Sequence, residues 1–298
     1  NRDGTFSDVT DNAGLKGQGW GGDVSVVDFD EDGRLDLFVT NMFGLSQLYH
    51  NDGNGVFRDV TKETLSRTSW GAIGSKSLDL NNDAHMDLLI VDMHSDMWMR
   101  PDYDSNLIEE RKKYPHAMGQ MVERDKRYEE MEARIADDFQ IKYKDVLFGN
   151  TLFKSLGNGR FDEISDKATM ETLWTWGIAT GDFDNDGYED VFLPSGMGFP
   201  FFYWRSYLMM NNGDETFTDR SRTTGIDPPP KGIFLERDIG GKQACRSSRC
   251  AATGDFDGDG RLDIIVNNFN DHPYYFRNNF PKKNYVAFRL KGTRSNWD

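Results

Sequence analysis

A nine-residue acidic pattern recurs four times in the 298-residue chain: DFDEDGRLD over 28–36, DLNNDAHMD over 79–87, DFDNDGYED over 182–190 and DFDGDGRLD over 255–263. In three copies positions 1, 3, 5 and 9 are all carboxylates. Asp28, Asp30, Asp32 and Asp36 can thus gather around one point, as can Asp182, Asp184, Asp186 and Asp190, and Asp255, Asp257, Asp259 and Asp263. The backbone carbonyl of position 7, which is Arg34, His85, Tyr188 or Arg261, can add another oxygen. Hard oxygen ligands in that number suit calcium. The chain must turn sharply to wrap an ion, and glycine at position 6 (Gly33, Gly187, Gly260) supplies a positive φ that other residues reach only at a steric cost. The second copy keeps Asp79, Asp83 and Asp87. Asn81 replaces its position-3 acid, Ala84 its glycine, and His85 offers only its backbone. Three to four calcium ions are expected, the second loop deciding the number.

One such loop alone would read as an ordinary surface turn. Four in register, each with a second signature ahead of it, do not. The charge balance agrees: 50 acidic against 35 basic residues give a net charge of −15, self-repulsion that bound cations would offset. The same acidity argues against nucleic acid as a partner. Aromatic residues at 13% are too many for a disordered chain, and no apolar run approaches the ~20 residues of a membrane span.

The elements that must position these acids follow from what flanks them. An EF-hand would need a bidentate Glu at position 12 between two helices. Position 12 here is Val39, Ile90, Leu193 or Val266, inside short apolar runs such as LDLFVT and MDLLIVD that fit buried strands. Each loop therefore joins strand to strand. The preceding signatures are NRDGTFSDVT around Phe6, NDGNGVFRDVT around Phe57, LGNGRFDEIS around Phe161 and NNGDETFTDRS around Phe217. The natural period is about 50 residues, which fits an all-β fold of four-stranded propeller blades over 1–282. The second unit holds roughly 50 residues more than the period. Its excess over about 100–145 has apolar positions Met118, Met121, Val122, Tyr128, Met131, Ile135 and Phe139 at helical steps, a predicted helical insertion. A second excursion over 226–249 contains Pro228, Pro229 and Pro230 and reads as a long surface loop without regular structure.

The pairing of N-x-G-x-G-x-F-x-D-V-T with D-x-D-x-D-G-x-x-D-L resembles the VCBS/FG-GAP repeats of extracellular calcium-binding propellers, including the integrin α-chain head. The tail NYVAFRLKGTRSNWD, Asn284 to Asp298, resembles the opening of the domain that follows such repeats in the cartilage acidic protein and ASPIC/UnbV family, with Trp297 where that family usually has arginine. The resemblance implies a secreted protein, extracellular or periplasmic, whose loop aspartates bind calcium, and it supplies no reaction. Integrin-type Phe-Gly and Gly-Ala-Pro landmarks are missing, so an integrin-like ligand function does not carry over. Family propellers commonly have seven blades, whereas four units are visible here, with YYFRN over Tyr274 to Asn278 resembling the start of a fifth.

Cys245 and Cys250 are the only cysteines, and CRSSRC spacing allows a small disulfide loop in an oxidising compartment, with two free thiols as the alternative. His50, His85, His94, His116 and His272 form no paired-histidine metal motif and are expected at turns or on the surface. Trp20, Trp70 and Trp176, each followed by glycine, are read as blade packing, with stacking against sugars as the other use. Asp92 to Asp102, DMHSDMWMRPD, is read as packing of the insertion on its blade, with a ligand site as the alternative. No serine nucleophile elbow or phosphate-binding glycine loop is present. The expected role is a structural or protein-interaction module, with a protein partner or larger complex and polysaccharide as candidate partners. The competing reading is an enzyme or accessory subunit of a polymer-acting or redox complex, docked through the helical insertion.

Overall fold

Each acidic loop joins the first strand of an antiparallel sheet to its second. In the computed structural model, which describes residues 4–17, 19–42, 44–93, 146–147, 149–172, 174–196, 205–226, 237–239, 242–244, 247–269, 272–286, 288 and 291–292, the first sheet runs β1 (Trp20–Val27), β2 (Asp36–Met42), β3 (Gln47–Gly53) and β4 (Val56–Asp59) in simple up-and-down order. A small parallel pair, β5 (Thr68–Ser69) with β8 (Val146–Leu147), flanks the second sheet, which runs β6 (Ala72–Leu78), β7 (Asp87–Asp92), β9 (Thr151–Ser155) and β10 (Phe161–Glu163). The third sheet is β11 (Ala179–Gly181), β12 (Asp190–Leu193), β13 (Tyr207–Asn211) and β14 (Phe217–Asp219). The fourth has three strands among the described residues: β17 (Ser247–Gly254), β18 (Asp263–Phe269) and β19 (Tyr274–Phe276).

The uninterrupted apolar runs of β7 and β12 have a physical cause: both of their faces are covered by neighbouring sheets. Leu88 and Ile90 of β7 pack with Phe38 and Leu48 of the first sheet, while Leu89 and Val91 pack with Val191 and Leu193 of the third. Phe192, on the other face of β12, joins Ile264 and Val266 of the fourth sheet. Each fully buried aliphatic or aromatic side chain contributes about 1.5–3 kcal/mol. First strands lie beside one another, β1 against β6 and β11 against β17. That approach needs glycine: a Cβ on Gly22 would sit 2.8 Å from the Ile73 carbonyl and from Thr40 Oγ1, and one on Gly177 3.0 Å from the Arg249 carbonyl.

The Phe-x-Asp signature closes each of the first three sheets. Phe57, Phe161 and Phe217 lie in β4, β10 and β14, and a one-turn helix follows: α2 (Thr61–Thr64), α3 (Ser165–Ala168) and α4 (Ser221–Thr224), after the matching α1 (Thr10–Ala13). The acid caps the helix, Asp59, Glu163 and Asp219 accepting the N–H of Thr61, Ser165 and Ser221 at 2.9–3.0 Å. The hydroxyl of that Thr or Ser accepts a third-strand N–H in turn, from Leu48, Leu152 and Leu208. The signature thus belongs to the sheet before the loop it precedes in sequence.

Three expectations change. YYFRN does not open a fifth unit: Tyr274–Phe276 is β19, the third strand of the fourth sheet, as LYHN lies in β3. The loop over 226–249 contains a two-stranded hairpin, β15 (Arg237–Ile239) with β16 (Lys242–Ala244), because its proline run ends at Pro230 and leaves donors free to pair beyond it. Among the described residues the fourth sheet has three strands, where a four-stranded unit was expected. The helical insertion over about 100–145, His94, His116 and Cys245 lie outside the described residues. Cys250 is exposed on β17, in register with Asn267.

Candidate metal centres

Position 9 opens every second strand and is buried in every copy: Asp36, Asp87, Asp190 and Asp263 are at most 1% exposed. Its carboxylate holds two parts of the sheet together. One oxygen accepts the position-2 N–H, from Phe29 (3.3 Å), Leu80 (2.8 Å), Phe183 (2.9 Å) and Phe256 (3.3 Å). The other accepts a backbone N–H of the third strand or the residue just past it, from Asn51 (2.7 Å), Ser155 (2.7 Å), Asn211 (2.8 Å) and Asn278 (2.8 Å). Register is the same throughout, the last first-strand residue pairing with position 9 (Val27, Leu78, Gly181 and Gly254 with Asp36, Asp87, Asp190 and Asp263).

The loops are built identically inside. Position 1 (Asp28, Asp79, Asp182, Asp255) accepts the N–H of position 5 at 2.9–3.1 Å and that of position 6 at 2.9–3.0 Å. Position 5 (Asp32, Asp83, Asp186, Asp259) accepts the N–H of position 7 (Arg34, His85, Tyr188, Arg261) at 2.8–3.1 Å. The chain winds around its own carboxylates, and each oxygen so bonded keeps a lone pair for another partner. Both positions 4 and 6 take positive φ: Glu31 64°, Asn82 58°, Asn185 55° and Gly258 75° at the former, Gly33 84°, Ala84 66°, Gly187 99° and Gly260 86° at the latter. Position 6 was expected and position 4 was not, although the Asn and Gly standing there in three copies are the residues that tolerate this conformation.

Three loops bring carboxylate oxygens within 4.8 Å of one another: Asp28, Asp30 and Asp36; Asp182, Asp184 and Asp190; and Asp255, Asp257 and Asp259. In the first and third, the position-3 acid has a buried oxygen, Asp30 Oδ1 and Asp184 Oδ1, that makes no hydrogen bond. Lys283 Nζ stands 3.5 Å from Asp184 Oδ1, too far for one. Crowded, buried acids resist ionisation. Burial pushes the Asp36 carboxyl up, and it pushes Asp87 up to about 6 and Asp190 up to about 7, with the other acids of the loop adding to the backbone-opposed effect. A divalent cation would relieve that repulsion and contact the two oxygens that make no hydrogen bond, so the residues fit calcium.

His50 was expected at a turn or on the surface, and it reaches the first loop: Nε2 is 3.1 Å from Asp30 and 3.3 Å from Asp32, and Nδ1 is 2.7 Å from Asp52. Its place directly before Asn51 was the available signal. Arg277, directly before Asn278, likewise stands 2.7 Å from Asp257. The tryptophans share no common surface: Trp70 is buried, Trp20 is exposed, and the Trp176 ring lies under the Arg249 guanidinium at 4.2 Å.

Neighbouring loops also touch. Asn82 Nδ2 donates to the Gly187 carbonyl at 2.8 Å, Asn185 Nδ2 to the Gly260 carbonyl at 3.3 Å, and Glu31 binds the His85 ring. Position 4 of each of the first three loops thus engages position 6 or 7 of the next. The FG-GAP-like repeat family model matches residues 28–90 and 143–193, which hold the first three loops. Repeats of this kind occur in extracellular adhesion-like β-propeller modules. No curated protein matches the chain. Among the described residues no helix is long and apolar enough to cross a membrane.

Proposed function

We propose that the first, third and fourth loops bind calcium, that the four sheets are blades of a propeller, and that the module works outside the cytoplasm as a structural or protein-interaction scaffold. One observation carries the calcium reading: Asp30 Oδ1 and Asp184 Oδ1 are buried without a hydrogen bond, each in a carboxylate that gathers with two others. A buried oxygen left without a hydrogen bond costs about 1–3 kcal/mol, and a cation is the partner that three converging carboxylates accept. Calcium tolerates the irregular, all-oxygen geometry of such a loop, where magnesium demands a near-ideal octahedron.

Bound there, calcium supplies only charge. The chain's own residues do the positioning: position 9 ties the loop to the third strand, position 1 curls it, and position 4 links it to the next loop. Matching sheets whose first strands lie side by side support the propeller, and the FG-GAP-like match supports an extracellular setting. The tail over 283–298 is read as the start of an ASPIC/UnbV-like segment on its sequence alone. The test is thermal melting of metal-stripped protein with and without calcium, because an ion that binds only the folded state raises the midpoint by mass action. A midpoint indifferent to calcium refutes the reading. Asp30→Asn and Asp184→Asn should each remove one ion from the stoichiometry.

A further inference from the structure

Three departures from the repeat meet at the second loop. The loop itself has Asn81 where the others have a position-3 carboxylate. The turn of the third sheet has Glu215 where the first two sheets have Gly55 and Gly159, and Glu215 keeps their positive φ, at 68° against 77° and 71°. Directly before the residue whose N–H binds the position-9 acid stand His50, Lys154, Met210 and Arg277, so the second loop is the one with a lysine at this place in its third strand.

These residues are joined. Glu215 accepts hydrogen bonds from the ammonium groups of both Lys154 and Lys167. Asn81 Nδ2 donates to Asp83 Oδ2 at 2.9 Å and approaches Glu215 Oε1 at 3.4 Å. The bond to Glu215 pushes the Lys154 ammonium pKa up, and the charges of Asp83 and Asp87 add to that. Where an ion would need oxygen at position 3, the second loop thus presents an amide N–H, and a cation of the protein's own lies beside its acids. A glutamate held at positive φ costs about 1 kcal/mol relative to glycine. Its bonds to two lysines of the neighbouring sheet offset that cost.

We propose that the second loop binds no calcium and that Lys154, held in place by Glu215, is the cation that neutralises its acids. This rests on the calcium reading of the other three loops. The experiment is a calorimetric calcium titration of the metal-stripped full chain, with native mass spectrometry as an independent count. The expected number is three. Four ions would overturn this inference while leaving the calcium reading intact, whereas none would overturn both. Asp83→Asn should leave the count unchanged and Asp186→Asn should lower it by one; loss of an ion in Asp83→Asn would also overturn the inference. Restoring the ligand and removing the lysine together, Asn81→Asp with Lys154→Met, should raise the count to four. A doubly substituted protein that melts cooperatively and still binds three would exclude Lys154 as the ion's stand-in.

Discussion

Replacing Asp190 by asparagine should change the stability of this protein in opposite directions with and without calcium. In the metal-free fold the carboxyl is pushed up to about 7, first by burial and then by the charges of Asp184 and Asp186. At pH 8 it is ionised all the same, and holding that charge disfavours the fold by about 4 kcal/mol relative to a carboxylate with the ordinary value of 3.8. Asparagine removes the charge. It keeps one acceptor oxygen, so one of the N–H groups of Phe183 and Asn211 loses its partner, at about 1–3 kcal/mol. In excess chelator the variant should therefore be the more stable protein by about 1–3 kcal/mol, a rise of a few degrees in midpoint for a chain of this size. In calcium the wild-type charge is matched by the ion, and the variant forgoes binding worth about 4.1 kcal/mol at a thousandfold excess over Kd, more than its advantage in chelator. The variant should then melt below wild type. Differential scanning calorimetry of both proteins at pH 8, with chelator and with calcium, reads the crossing directly. An equal loss in both conditions would mean that Asp190 serves only as a hydrogen-bond acceptor, and the electrostatic reasoning would fall.

The pH dependence of the chelated protein follows from the same groups. Asp87 and Asp190 keep their protons up to about 6 and about 7 in the fold but release them near 3.8 once unfolded, so the folded state binds more protons between pH 5 and 7. Its midpoint should fall as pH rises across that window and level off above it, and calcium should remove the Asp190 part of the slope while leaving that of Asp87; a flat profile in chelator would contradict this. Asn211→Ala removes a buried side chain that donates to the Leu80 and Glu189 carbonyls and accepts from Gly213 N–H, and should cost about 2–4 kcal/mol in urea unfolding. A loss under 1 kcal/mol would show that the contact between the second and third sheets does not depend on it. Gly22→Ala places a Cβ 2.8 Å from the Ile73 carbonyl and should cost about 1–3 kcal/mol by the same assay, whereas Gly21→Ala, with open space around it, should cost less.

What could be read beforehand was whatever is local in the chain. The repeated acidic loop and the strand directly after it are contiguous in the chain, and the structure forms both. What could not be read was set by neighbours distant in sequence. The Phe-x-Asp signature seemed to open a unit, but Phe57, Phe161 and Phe217 sit on the last strand of the sheet before, because their acids cap helices that pack on that sheet. Asn211 and Asn278 bond the position-2 carbonyls of the preceding loops, Leu80 and Phe183, more than 90 residues away. The hairpin at Arg237–Ala244 was hidden by the proline run before it.

On the proposed calcium reading, the double duty of position 9 couples ion binding to sheet formation. The same buried carboxylate that completes a cluster of acids in the first and third loops also receives the N–H of Asn51 or Asn211. A loop that loses its ion therefore leaves a charged group inside a sheet, where its repulsion acts on three strands at once. Position 4 carries the effect sideways. Asn82 and Asn185 each hold a carbonyl at position 6 of the following loop, the residue whose N–H binds the position-1 acid there. A disturbance at one loop thus reaches the carboxylate geometry of the next through a single peptide unit. The second loop lies between two full ones in this row, which gives it a role without an ion: a link whose shape must persist whatever the calcium concentration. A lysine–glutamate bridge in place of a dissociable cation meets that requirement.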